Sequence, residues 1–150
     1  MTDYFKRLFE YNHWANGLLI ENLGKLPAPP PKSLDRMSHI VLVEFIWRAR
    51  VEGKVFTEDS STTRPLDEVT RLNDGSFNLW LAFLERLAPE KYTEVIAYKT
   101  MAGKAMETRL SEILAHVINH GTHHRGQVVA SIRDAGFEPP SLDLVYFTRT

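Results

Sequence analysis

Apolar residues recur with a period close to 3.6 along four stretches of the chain, and breaker residues separate those stretches. The first stretch predicts a helix from about Asp3 to Leu26, with Thr2 or Asp3 as N-cap and the run Pro27-Ala28-Pro29-Pro30-Pro31 as a hard stop. A second helix is expected to start at Ser33, a good N-cap, and to continue to about Val55. The third spans roughly Asp67 to Leu87 and stops before Pro89. The fourth runs from near Thr108 to Ala135, where Gly136 can take the left-handed cap and Pro139-Pro140 prevents continuation. Between the last two, YTEVIAYKTMAGKAMETRL carries β-branched and aromatic residues around Ala102-Gly103, which predicts a short β-hairpin or extended excursion. Four long helices joined in this way predict an all-α fold, a four-helix bundle forming one domain over residues 1–150, with sites built between facing helices.

Composition narrows the functional classes. A net charge of −1, without a basic stripe, offers no footprint for nucleic acid or for an anionic membrane. Cysteine is absent, so this chain supplies neither a disulfide, nor a thiolate nucleophile, nor a Cys-based zinc or iron–sulfur site. The start, MTDYFKRLFEYNHWANGLL, lacks the basic and apolar regions of a signal peptide, and no apolar run approaches a membrane span. The expected address is the cytoplasm. No Ser-His-Asp arrangement or Gly-rich phosphate loop stands out.

Histidine is where chemistry concentrates. Four of six lie within nine residues, His116, His120, His123 and His124, inside EILAHVINHGTHHRGQVVASIRDAG. With His120 at 0° and about 100° per residue, the apolar residues of that helix fall between roughly 20° and 160°. His124 then lies at about 40°, inside the arc, and His120 at its border, while His116 and His123 lie at about −40° and −60°. Side chains at i and i+4 rise from neighbouring turns of one face, so His120 and His124 can converge on one ion. In the second helix, Leu42, Val43, Ile46 and Trp47 fall within about 80° of His39, which centres this histidine on an apolar stripe, a costly place for an unpaired imidazole. Two readings follow from these residues alone. The three rings hold a metal, or each is a core histidine hydrogen-bonded to a carbonyl or carboxylate.

Other residues take plainer roles. Tyr11, Trp14 and Leu18 form a stripe of the first helix that reads as core, as do Trp47 and Trp80. His13 reads as a surface histidine. Arg50 lies about 20° from His39 and nearly three turns away; its stem suits snorkelling to solvent, with anchoring of an anionic substrate as the sharper alternative. Arg125 and Gln127 are expected to organise helix packing or a dimer contact.

The stretches NHGTHHRGQ, YNHWANGLL, SHIVLVEFIWRARVEG and DLVYF together resemble the DinB family, the damage-inducible DinB/YfiT-like metalloenzymes, over almost the whole chain. The resemblance implies an up-down-down-up four-helix bundle, commonly a homodimer. It also implies a divalent metal held by one histidine of the second helix and a His-x-x-x-His pair of the fourth. Position by position, His39 matches the first and His120 and His124 the pair. Gln127 stands where some relatives carry histidine, and as a poor ligand it favours this register over one based on His123. The related thiol-dependent branch activates a low-molecular-weight thiol at the same metal position.

Three imidazoles leave the coordination shell incomplete, which is the form of catalytic sites, and zinc, nickel and ferrous iron all suit such ligands. The open position would take a thiol, for attack on an electrophile, or water, for attack on a carbonyl or phosphoryl centre. No Glu adjoins the pair as in His-Glu-x-x-His. His123, Asp143 and Tyr146 are the candidate catalytic proton handlers, the last two if the tail folds back toward the metal. The expected function is a thiol-dependent transferase acting on a small-molecule substrate. A metal hydrolase and a non-catalytic metal-binding protein of the stress response are the alternatives.

Overall fold

The amphipathic segments fold as helices whose ends fall at prolines and glycines. The computed structural model describes residues 1–149. Its elements are α1 (Thr2–Lys25), α2 (Pro31–Val51), α3 (Leu66–Arg86), β1 (Val95–Lys99), β2 (Ala105–Arg109), α4 (Leu110–Asp134) and α5 (Leu144–Phe147), with a 3-10 turn over Pro89–Thr93. α2 begins two residues before the expected Ser33, because proline at the first helical position already has a helical φ and lacks only an N–H that would be orphaned there. It also ends before Val55. Gly53 takes φ +68°, its N–H donates to the Arg50 carbonyl, and the Lys54 N–H donates to that of Ala49, which closes a Schellman cap. Gly136 closes α4 in the same way, at φ +84°. The excursion is an antiparallel hairpin with Val95 opposite Arg109 and Lys99 opposite Ala105, and β2 runs directly into α4.

Inter-helix contacts fix the topology. α1 packs antiparallel to α3, since Lys6 meets Glu85, Phe9 stacks on Trp80 and Asn16 meets Asn73. α3 runs parallel to α2, with Ser38 near Arg64, Glu44 at Ser76 and Arg48 at Leu79. α2 is antiparallel to α4, with His39 at His120 and Trp47 at His116. The helices therefore run up, down, down, up. Parallel neighbours need a return path, which residues 52–65 supply between α2 and α3; fourteen residues can span roughly 46 Å, more than the roughly 32 Å length of a 21-residue helix.

The core of α1 follows Phe5, Phe9, Asn12, Asn16, Leu19 and Leu23, at alternating spacings of four and three. Tyr11 and Trp14 lie beside that line. They pack on Phe147 of α5, and the Tyr11 hydroxyl donates to the Leu142 carbonyl at 2.9 Å, so the tail is fastened to α1. Trp47 and Trp80 are both buried.

A polar layer divides the apolar interior in two. One apolar cluster, around Phe9, Trp80 and Leu114, adjoins the hairpin; the other gathers Leu19, Met37, Ile40 and Val128. Between them every long helix contributes a buried polar side chain: Asn12 and Asn16 from α1, Glu44 from α2, Asn73 and Ser76 from α3, Arg125 from α4. Asn12 and Asn16 donate to the Glu44 carboxylate and accept from the Arg125 guanidinium, so two amides bridge two buried charges. Ser76 donates to the other Glu44 oxygen. Gly121 makes room for this: a Cβ there would lie 2.5 Å from Asn12 Oδ1 and 2.8 Å from Arg125 Nη1.

Candidate metal centre

His39, in the third turn of α2, faces His120 and His124 across the antiparallel seam with α4. The Nε2 atoms of His39 and His120 are 3.1 Å apart, and ring centroids are 4.7 Å apart for His39–His124 and 4.4 Å for His120–His124. Each of the three offers one ring nitrogen within 4.8 Å of the others. Two imidazole nitrogens bound tetrahedrally at 2.0–2.1 Å would sit about 3.3 Å apart, close to the observed separation. Among the described residues this is the one group of metal-ligating side chains so assembled, and it consists of imidazoles alone.

The site lies at the edge of the bundle rather than inside it. All three rings are half-buried. The buried face of α2 centres on Met37, Ile40, Glu44 and Trp47, which corrects the placement of His39 at the middle of its apolar stripe. The expectation was misled because Leu42, Val43 and Ile46 flank His39, while the interior side of the helix carries the polar Glu44. An edge position leaves one side of the trio open to solvent.

The electrostatics suit a cation. Burial, then the charges of His124 and Arg36, lower the pKa of His39. Burial and the neighbouring histidines, His124 first, push His120 down to about 3. Both rings are therefore neutral at pH 7, with lone pairs available to a metal that need not displace a proton. The Nδ1 of His124 lies 2.8 Å from Gln127 Oε1, an acceptor, so Nδ1 carries the proton and Nε2 keeps its lone pair free.

The remaining expected residues divide. His123 is exposed beside His124, ring centroids 4.9 Å apart, and its Nε2 is 3.5 Å from the Gln127 amide. His116 sits edge-on to Trp47 at 5.1 Å and 5.9 Å from the His120 ring, its pKa lowered by burial and by Arg50. Asp143 and Tyr146 are not brought to the histidines. They line a separate cleft of about 360 Å³ with Thr122, Arg125 and Gly126, on the opposite face of α4, because the tail is tied to Tyr11 on α1. His13 sits half-buried between Asp74, 2.8 Å away, and the stacked ring of Phe77. Arg50 does not reach away to solvent: its guanidinium covers the rings of Trp47 and Tyr98.

Sequence reasoning overlooked the polar layer. Burial raises the pKa of Glu44, opposed by hydrogen bonds from Ser76, Asn12 and Asn16 and by the Arg125 charge. The signal was present: Arg125 falls at about 140° and Gly121 at about 100° on α4, both inside the apolar arc.

A half-exposed three-histidine cluster on the α2–α4 seam of an up-down-down-up helical bundle fits a class of helical proteins that could hold a metal ion between two helices. The DinB family model matches residues 1–150, and the chain belongs to the DinB family. It is 28% identical over 169 residues to protein DinB of Bacillus subtilis (strain 168), covering all of this chain and 98% of that one. The crystal structure of a DinB-like protein from Bacillus cereus ATCC 10987 resembles it with TM-score 0.58 and 25% identity, over 93% of each chain. No helix among the described residues is long and apolar enough to cross a membrane.

Proposed function

We propose that this protein is a divalent-metal-dependent enzyme that uses His39, His120 and His124 as ligands and transfers the sulfur of a low-molecular-weight thiol to a small electrophilic substrate. The observation that carries the metal reading is the 3.1 Å approach of His39 Nε2 to His120 Nε2, beside a His124 whose tautomer is set by Gln127. A bound zinc, nickel or ferrous ion would supply Lewis acidity at the open side and lower the pKa of a thiol ligand. The protein's own groups hold the ion, keep its ligands neutral and leave one side of the site accessible.

Thiol transfer is favoured over hydrolysis because, among the described residues, no Asp or Glu hydrogen-bonds any of the three rings or joins their cluster. Both nucleophiles must lose a proton, but a thiol, ordinarily at about 8.5, gives it up far more readily than water at about 15.7, so an imidazole suffices as its base. In the transfer a sulfur–carbon bond forms, the leaving group departs with its electron pair, and the thiol proton passes to a base. The exposed ring of His123 beside His124 supports giving it that proton. A cytoplasmic homodimer is the assembly proposed on family resemblance.

Conjugation of a chromogenic electrophile, assayed with glutathione, bacillithiol or mycothiol and with metal-loaded and metal-free protein, tests this reading. Turnover that requires both thiol and metal is expected. Metal-dependent ester or lactone hydrolysis without thiol would replace the transferase with a hydrolase, and no turnover with any panel would leave a metal-binding protein.

A further inference from the structure

Farther along α2 from His39 lies a second feature that the metal reading does not use. A cavity of about 480 Å³ opens between the C-terminal end of α2 and the hairpin, with Ile46, Val55, Phe56, Tyr98 and Met101 among its walls. Arg50 stands in the same wall. Its guanidinium carbon lies 4.6 Å from the Trp47 ring centroid and 5.2 Å from that of Tyr98. Stacking occupies the faces of the guanidinium and leaves its in-plane N–H donors available.

No carboxylate among the described residues pairs with Arg50, whereas two other charged groups of the lining are matched. Lys54 meets Glu52 at 3.2 Å, and Glu58 meets Arg64 at 3.6 Å. Lys99 is exposed on the hairpin. Partial burial also lowers the pKa of Arg50, opposed only by the neighbouring Tyr98, a sign of lost hydration without a carboxylate in compensation. A partly desolvated cation beside the apolar side chains of Ile46, Val55, Phe56 and Met101 lacks the partner that such a charge requires.

The cavity and His39 lie along one face of α2. Ile46 and Arg50 fall within about 20° of His39 on α2, roughly 10 Å and 16 Å farther along its axis. The His116 ring bridges the interval, touching Trp47 on one side and approaching His120 on the other. We propose that this cavity is a substrate subsite for a monoanionic organic acid, its carboxylate paired with Arg50 and its apolar body against Phe56 and Tyr98. One guanidinium matches one carboxylate, and Lys54 and Glu58 of the wall are already engaged with Glu52 and Arg64. That the far end of the acid reaches the reacting centre rests on the metal-enzyme reading; the carboxylate contact itself does not.

The test uses full-length, metal-free, ¹⁵N-labelled protein titrated with 4-phenylbutyrate and, separately, with neutral 4-phenylbutyramide. Resonance shifts are expected at the Trp47 indole N–H, the Arg50 side chain and the Tyr98 amide, with the amide ligand weaker by roughly tenfold or more. Arg50→Gln is expected to lose a similar factor, while His120→Ala binds the acid as the parent does. Equal affinity for acid and amide, or no shifts at these residues, overturns the subsite whatever the metal does. Unchanged affinity in a folded Arg50→Gln protein does the same. Should Arg50→Gln fail to fold, the acid–amide comparison on the parent protein decides alone. Metal content of the parent protein reports separately on the histidine site.

Discussion

The Nδ1–H of His124 donates to Oε1 of Gln127, three residues farther along α4, at 2.8 Å. That bond leaves Nε2 of His124 as the ring nitrogen without a proton. Replacing Gln127 with Leu removes the acceptor from an exposed position and frees the ring to take the other tautomer. Metal affinity is expected to fall roughly tenfold to a hundredfold, with the melting temperature of the metal-free protein unchanged. Gln127→Glu keeps an acceptor and should retain affinity. Competition against a chromogenic chelator measures both; equal affinity in Gln127→Leu would show that the hydrogen bond does not orient the ligand.

The buried pair at the centre of the bundle sets a second expectation. Glu44 and Arg125 are joined through Asn12 and Asn16. Deleting one charge strands the other, so Glu44→Met or Arg125→Met alone should cost about 3–5 kcal/mol. The double variant should cost less than the sum of the singles, because neither charge is left unpaired. Urea denaturation of the four proteins completes the cycle, and strict additivity would argue against coupling through the amides.

Two glycines of α4 should respond with opposite signs. Gly126 has nothing within 4 Å of an added Cβ, so Gly126→Ala should stabilise by about 0.5–1 kcal/mol through helix propensity. At Gly121 the same methyl would displace Asn12 and Arg125, and the lost hydrogen bonds of buried groups outweigh that gain. Thermal melts should therefore rise for Gly126→Ala and fall for Gly121→Ala.

Much of this could be read from the sequence because local signals carried it. Helical periodicity, Gly136 and the β-branched run around Ala102-Gly103 report backbone preferences that packing did not override. The approach of His39 to His120 and His124 needed two helices to meet, and spacing plus resemblance supplied it. The polar layer was missed because asparagine, glutamate and arginine ordinarily mark solvent; only pairing across four helices makes Asn12, Asn16, Glu44 and Arg125 interior, and no single helix encodes that pairing. Asp143 and Tyr146 depended on the path of the tail, which the Tyr11–Leu142 hydrogen bond directs to the far side of α4.

Acid should weaken the metal-free fold through the same imidazoles. His120 titrates at about 3 when folded and near 6.5 when unfolded, so the unfolded chain binds more protons between those values. Stability therefore falls as pH drops from about 6.5 toward 3, and the lowered pKa of His39 adds in the same direction. Glu44, whose folded pKa is raised, acts oppositely but equally in variants that keep it. The loss of denaturation midpoint between pH 7.5 and pH 5 should be smaller in His120→Ala than in the parent. An identical loss in both would mean that His120 does not titrate as its burial requires.

The central claim is that imidazoles from α2 and α4 share one ion. Elemental analysis of purified protein after equilibration with zinc or nickel tests it most directly. About one ion per chain is expected in the parent and in His116→Ala and His123→Ala, with stoichiometric binding lost in each of His39→Ala, His120→Ala and His124→Ala. Full metal content in any of those three single variants, or none in the parent, would contradict the account.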